Sequence, residues 1–253
     1  MNMNKRFDKQ VAIVTGAANG LGKGIALRLA EEGCQVVLLD INKEQLANTV
    51  SEFSHRGLLV EGQQLDVSDE PSVVDVIDAV ADRYGKIDIL VHSAAIVGPT
   101  SISTSVYPTP DFDRLYQVNL RSAFLLAKHT IPVMEAGKYG RILLLASMAG
   151  KEGNPYMIGY SAMKAGIIGM VKALGKEYAE KGITINGLAP AVIKTPMNDD
   201  TDARQLDYMI GKIPMKRLGT VEEVAAISAW IVSKEASFTT GFTFDVSGGR
   251  ATY

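Results

Sequence analysis

Short apolar runs of mostly β-branched or aliphatic residues alternate with longer stretches of helical periodicity along the chain. The runs are VAIVT from Val11, QVVLLD from Gln35, LLVEGQQLDV from Leu58, IDILVHSA from Ile87, RILLLAS from Arg141, ITINGLAP from Ile183 and FTFDVSG from Phe242. Their nearly continuous apolar character predicts strands covered on both faces, as in a parallel sheet. Between them, apolar spacing predicts helices at about 21–33, 43–55, 70–84, 111–136, 157–180 and 221–233.

This punctuation predicts one doubly wound α/β domain over residues 1–253, a Rossmann-type parallel sheet of about seven strands with helices on both faces. Asp69 is placed to cap a helix starting near Pro71, Gly33 and Gly182 suit helix ends, and Val221, Glu222 and Glu223 open the last helix. The polar segment 195–217, TPMNDDTDARQLDYMIGKIPMKR, interrupts the rhythm and reads as a lid or substrate loop.

Composition narrows the class. A chain of 253 residues buries a substantial core, and a net charge of −2 with 21% charged residues offers no bulk positive field to nucleic acid or an anionic membrane. The opening MNMNKRFDKQ lacks the apolar core of a secretory signal, and no apolar run approaches the roughly 18 residues of a membrane span. One cysteine, Cys34, makes no internal disulfide, and no His/Cys cluster predicts a metal site. These features predict a cytoplasmic protein.

Two groups of residues carry candidate chemistry. In VAIVTGAANGLGKG, a strand ending at Thr15 runs through Gly16, Asn19 and Gly20 into a helix opening near Leu21 and Gly22. Such a turn offers backbone N–H groups and the positive end of a helix dipole to a pyrophosphate. The next strand ends in Asp40, near the roughly 20-residue offset of a ribose-binding carboxylate, which repels a 2′-phosphate and so favours NAD over NADP.

The second group is Ser147 at a strand end with Tyr160 and Lys164 downstream, the latter pair spaced i, i+4 on one helix face. A tyrosine with an ordinary pKa near 10 is a poor base at neutral pH, and an adjacent ammonium lowers it. Ser147 can then hydrogen-bond the substrate oxygen while Tyr160 exchanges its proton.

With these residues in place, nearly the whole chain resembles the short-chain dehydrogenase/reductase family. The T-G-x-x-x-G-x-G pattern stands at Thr15, Gly16, Gly20 and Gly22, and Y-x-x-x-K at Tyr160 and Lys164 with the upstream Ser147. The resemblance implies hydride transfer between an alcohol or ketone and a nicotinamide cofactor. It implies adenine contacts at Asp66 and Val67, which end the third strand, and a fourth catalytic residue at Asn119, holding a water between Lys164 and solvent. It also implies backbone contacts at Ser93 and Ala94, and nicotinamide contacts from Pro190, Val192, Ile193 and Thr195.

Two positions depart from the family pattern. His92, Ser93, Ala94 and Ala95 replace N-N-A-G, so the asparagine bonds that brace the sheet do not carry over and His92 is read as structural. Ala191 replaces the glycine after Pro190, which leaves the local backbone conformation open. NADP-preferring members often carry arginine where this chain has Asn19, a second sign for NAD, although nearby Lys43 leaves room for some NADP use.

The substrate-reading segments are expected at KEGNPYMI, at 97–110 and at 195–217, with Lys151, Asn154, Lys194 and Arg204 as candidate readers of hydroxyls or a carboxylate. AGKEGNP and APAVIKTPM resemble members that oxidise 2-keto-3-deoxy sugar acids, so the expected substrate is a hydroxylated acid or a polyol. An NADPH-dependent 3-oxoacyl thioester reductase is the alternative enzyme, and a dinucleotide-binding sensor or scaffold the alternative without turnover. The family's recurrent tetramer, built on the Asn119 and Tyr160 helices, implies a homotetramer, for which Ala162, Ala165, Gly166 and Gly169 allow close helix approach.

Overall fold

The computed structural model describes residues 5–195, 203–251 and 253. Its strands are β1 (Val11–Thr15), β2 (Gln35–Asp40), β3 (Val60–Gln64), β4 (Ile89–His92), β5 (Gly140–Leu145), β6 (Ile183–Pro190) and β7 (Thr243–Val246). They form one seven-stranded parallel sheet in the order β3-β2-β1-β4-β5-β6-β7. The helices are α1 (Gly20–Glu31), α2 (Lys43–His55), α3 (Glu70–Tyr84), α4 (Thr109–Leu115), α5 (Ser122–Gly137), α6 (Met148–Glu152), α7 (Ile158–Glu177), α8 (Ala203–Gly211) and α9 (Val221–Ile231).

Alternation along the strands divides the interior into two cores. Ala12, Val14, Val36 and Leu38 pack with Ile25, Leu29, Phe53 and Val224 from α1, α2 and α9. Their neighbours Val11, Ile13, Val37 and Leu39 point the other way, onto Val76, Leu126 and Ile167 from α3, α5 and α7. Continuous apolar runs are therefore required, because both faces of the central strands are covered. Burial of one side chain such as Ile25 or Phe53 stabilises the fold by about 1.5–3 kcal/mol.

Local signals account for the helix ends. Asp69 accepts from the Ser72 N–H at 3.1 Å, and Thr220 and Glu223 form a reciprocal capping box at the start of α9. Gly33 and Gly182 adopt φ of +92° and +75°, where a side chain would be strained.

Three expectations shift. β3 is shorter than the 58–67 run and largely polar at the sheet edge, where only β2 pairs with it. Asp66 and Val67 consequently lie in the loop beyond it. The 111–136 helix is α4 and α5 joined by a π-helical turn, Tyr116–Arg121. Within the expected 195–217 loop, α8 forms; residues 196–202 and the Arg204 side chain lie outside the described part.

From β1 the chain builds outward through β2 and β3, then crosses back to β4 on the other side of β1. The loops after β1 and β4 therefore diverge, opening a crevice beyond the carboxyl ends of the strands.

Candidate active site

At that crevice the turn after β1 depends on glycine at close quarters. Gly16 has φ of +64°, and a Cβ there would come within 2.9 Å of the Ala94 backbone; one on Gly22 would come within 2.1 Å of the Gly16 carbonyl oxygen. Gly20, with φ of +54°, would meet no protein atom within 4 Å. A side chain there would stand in open space, and Gly20 itself lines the crevice. Asn19 gives α1 no side-chain cap, so the first N–H groups of the helix are left for another acceptor.

Asp40 ends β2 beside this turn. Its carboxylate accepts from the Ala18 N–H at 3.0 Å and the Asn42 N–H at 2.9 Å, which fixes it at the rim with lone pairs to spare. Asn19 donates to Gln45 on α2 at 3.0 Å, and Thr49 donates to the Ala18 carbonyl at 2.8 Å, so α2 holds the turn in place. Further along, burial works to raise the Asp66 pKa, but two bonds from Ser68 and the nearby Arg114 hold it below the ordinary carboxylate value.

His92 joins β1, β4 and the helix layer. Thr15 Oγ1 accepts from the Ser93 and Ala94 N–H groups, each at 3.2 Å, and lies 2.8 Å from His92 Nδ1. Ser122 Oγ donates to the Val118 carbonyl at 2.5 Å and lies 2.9 Å from His92 Nε2. The Ser122 proton is thus spent, so Nε2 carries the imidazole proton and Thr15 donates to Nδ1. Burial, reinforced by Lys164, pulls the His92 pKa down to about 3 and keeps it neutral.

At the other end of the crevice, Ser147 caps α6 and accepts from the Ala149 N–H at 3.1 Å. The nearby Ser147 side chain works to lower the Tyr160 pKa. Lys164 donates to the Leu145 carbonyl at 2.6 Å, its Nζ 5.7 Å from the centre of the Tyr160 ring. Burial pulls the Lys164 pKa down to about 8. The depressed Tyr160 pKa expected from Lys164 is not what this geometry gives. Burial pushes the phenol up, Ser147 opposes that without reversing it, and the ammonium is turned to Leu145.

One cleft of about 790 Å³ is lined by Ser147, Tyr160 and Lys164 and by every position expected to touch a dinucleotide. Asn119 stands behind its wall: its side chain donates to the Ile96 carbonyl at 2.7 Å and accepts from the Ile96 N–H at 2.8 Å. That pair fastens the 93–96 loop and uses one of the two Nδ2 protons. The Ala191 N–H donates to the Val246 carbonyl at 2.9 Å, and Ala191 is not among the residues with positive φ, so the departure from glycine continues the strand without strain.

Two contributors escaped the sequence reading. A Cβ on Gly150 would lie 2.5 Å from the Lys164 carbonyl carbon, so its absence lets α6 press on α7 and brings Ser147 to Tyr160. SMAGKEG showed a glycine there but not its neighbour. Arg250, near the end of the chain, lines the cleft through a fold the local sequence does not reveal. Among the described residues, no group of three or more His, Cys, Asp or Glu is placed to hold a metal.

Known proteins resemble this chain along nearly its whole length. The family model described as enoyl-(acyl carrier protein) reductase matches residues 16–251. The chain is 46% identical over 248 residues to the 2-dehydro-3-deoxy-L-rhamnonate dehydrogenase (NAD(+)) of Sphingomonas sp. (strain SKA58), covering 98% of each. It is 35% identical to a 3-oxoacyl-(acyl-carrier-protein) reductase of Thermotoga maritima, covering 96% of this chain and 98% of the relative. The crystal structure of an NAD+-bound xylitol dehydrogenase superposes with a TM-score of 0.91 at 32% identity, covering 96% of this chain and 99% of that one. With the sheet order, the glycine turn and full-length relatives in agreement, the chain belongs to the short-chain dehydrogenase/reductase family of NAD(P)-dependent oxidoreductases.

Proposed function

We propose that this protein is an NAD-dependent dehydrogenase that oxidises a secondary alcohol to a ketone on a hydroxylated sugar acid of the 2-keto-3-deoxy type, or on a polyol. The observation that carries the reaction is the shared cleft, with Asp40 and the uncapped start of α1 at one end and Ser147, Tyr160 and Lys164 at the other. The substrate class rests on the 46% identity to a dehydrogenase named for such an acid.

The glycine turn fits a pyrophosphate, since Gly20 leaves space where any side chain would intrude. Gly16, Asn19, Leu21 and Gly22 frame it, Asp40 receives the adenosine ribose hydroxyls, and Asp66, Val67, Ser93 and Ala94 border the adenosine. Pro190, Val192, Ile193 and Thr195 border the nicotinamide. When bound, the oxidised nicotinamide accepts the hydride. Tyr160 takes the hydroxyl proton as the hydride leaves the same carbon, Ser147 donates to the substrate oxygen, and the Lys164 ammonium favours the phenolate. Asn119 fastens the loop through Ile96 and holds the water that links Lys164 to solvent.

The reading extends to organisation. Residues 1–253 act as one domain, and Thr195 and Met209 from the segment 195–217 line the cleft that takes the substrate. No helix among the described residues is long and apolar enough to cross a membrane, in keeping with a cytoplasmic site of action. A homotetramer would cover exposed Tyr116 and Phe124 at the Asn119 turn. Gly166 already packs on Leu120, but a Cβ on Gly169 meets nothing, so Gly169 and exposed Ala165 are the small residues open to a partner helix. A solution mass equal to the 27.2 kDa chain contradicts the tetramer.

Resemblance to the Thermotoga maritima reductase favours a second reading, reduction of a 3-oxoacyl thioester. Initial rates across hydroxy acids, polyols, cyclic alcohols and an acyl thioester, each with both cofactors, separate the two. NAD-linked turnover of a sugar acid or polyol is expected; turnover confined to the thioester with NADPH replaces this reading with the other.

A further inference from the structure

Of the cations considered for substrate reading, Lys151 is already committed: its Nζ donates to the Tyr253 carbonyl at 2.7 Å and pairs with Asp245 at 3.6 Å. Lys194 is exposed and outside the cleft wall. The cleft instead contains Arg250, whose side chain is only 8% exposed. Of the other cations in the described wall, Arg114 serves the Asp66 end and Lys164 is bound to Leu145.

Arg250 is held from one side. Nε and Nη2 donate to the same Glu152 oxygen at 3.0 and 2.6 Å, and Nη2 reaches Asn154 Oδ1 at 3.4 Å. Among the described residues Nη1 has no partner, which leaves two of the five guanidinium N–H donors unspent in a largely buried group. The backbone around it is fixed too: the Arg250 N–H donates to the Ser247 carbonyl, and Tyr253 Oη donates to the Lys151 carbonyl at 2.7 Å. Asn154 in turn donates its N–H to Ser161 Oγ at 3.0 Å, tying this cluster to the helix turn that carries Tyr160.

We propose that Arg250, set by Glu152 and Asn154, is the specificity residue that hydrogen-bonds the carboxylate of an acidic substrate bound at Tyr160. The inference rests on the dehydrogenase reading above and deepens it. A guanidinium with free donors, preorganised in the wall of a cleft, suits a carboxylate better than a neutral hydroxyl. Glu152 lies outside the cleft wall, so it neutralises Arg250 from behind without presenting a carboxylate to the substrate.

The test is equilibrium binding of 2-dehydro-3-deoxy-L-rhamnonate and of its neutral C1 amide to the protein loaded with NADH, which cannot accept hydride. Wild type is expected to favour the acid about 10–100-fold, the range of a charge-assisted bond. Arg250→Gln should bring that ratio near one and Arg250→Lys should leave it in between. An unchanged ratio in Arg250→Gln, or no acid preference in wild type, overturns the proposal. Should Arg250→Gln fail to fold, Arg250→Lys decides, an unchanged ratio again overturning it. Turnover of the acid with NAD is measured alongside. Turnover without an Arg250-dependent preference sinks this inference alone, whereas an Arg250-dependent preference without turnover sinks the dehydrogenase reading alone.

Discussion

Lys164 directs its ammonium at the backbone carbonyl of Leu145, 2.6 Å away, rather than at the Tyr160 hydroxyl. The last residue of β5 thereby fixes the cation beneath the tyrosine ring, and burial sets its pKa at about 8. Its influence on Tyr160 is a field acting from a fixed point rather than a hydrogen bond.

Lys164→Met should therefore lower alcohol oxidation by about 100-fold or more, within the range of general acid–base contributions. Oxidation needs the phenolate and gains as pH rises; reduction needs the phenol and gains as pH falls. Loss of the cation should move the oxidation profile to higher pH, read from kcat against pH in both directions. An unmoved profile contradicts a role for the Lys164 charge.

His92 makes a separate prediction about stability. Its folded pKa of about 3 lies below the ordinary 6.5, so between those values the unfolded chain takes up a proton that the folded one refuses. Stability is fully present above 6.5 and is lost as pH falls toward 3, by about 1.4 kcal/mol per pH unit from this group. His92→Ala should remove that slope while leaving the Thr15 hydroxyl without its acceptor, at a cost of about 1–3 kcal/mol. Urea unfolding at several pH values reads both effects, and identical slopes contradict the assignment.

The glycines of the first turn separate packing from binding. Gly22→Ala puts a methyl 2.1 Å from the Gly16 oxygen and should lose stability and NAD affinity together. Gly20→Ala meets no protein atom within 4 Å. It should remain folded, with left-handed strain of about 1–2 kcal/mol, yet bind NAD at least about tenfold more weakly. Calorimetric titration with NAD alongside thermal melting distinguishes the two, and full NAD affinity in Gly20→Ala contradicts the placement of the phosphates.

The strands along the chain were legible in periodicity, and the glycine turn, Asp40, Ser147, Tyr160 and Lys164 in spacing, whereas Asp66, Val67, Ser93, Ala94 and the nicotinamide contacts rested on the family resemblance. Val11 to Asp40 alone carries a strand, an uncapped helix start and a second strand ending in a carboxylate. What sequence could not supply came from contacts between distant segments. Gly150 matters because Lys164 passes behind it, and Arg250 enters the cleft only because the chain end docks on the 151–154 loop. The Tyr160 pKa was misjudged for a similar reason: i, i+4 spacing places Lys164 on the same helix face, but a carbonyl on β5 decides where its ammonium points.

Asp40 bears on cofactor choice. Asp40→Ser keeps a short polar group at the rim but removes the charge that opposes a 2′-phosphate. The ratio of kcat/KM for NADP over NAD should rise about 10–100-fold, the range of a hydrogen bond to a charged group. Initial rates with each cofactor measure it, and an unchanged ratio contradicts the ribose placement.

The most direct measurement is NADH formation from NAD and 2-dehydro-3-deoxy-L-rhamnonate by the wild-type protein and by Tyr160→Phe, which removes the phenolic oxygen while keeping the ring. Wild type is predicted to turn over, and the variant to lose about 10²–10⁴-fold in kcat while still binding NAD. Equal turnover by both proteins would contradict hydride transfer assisted by Tyr160.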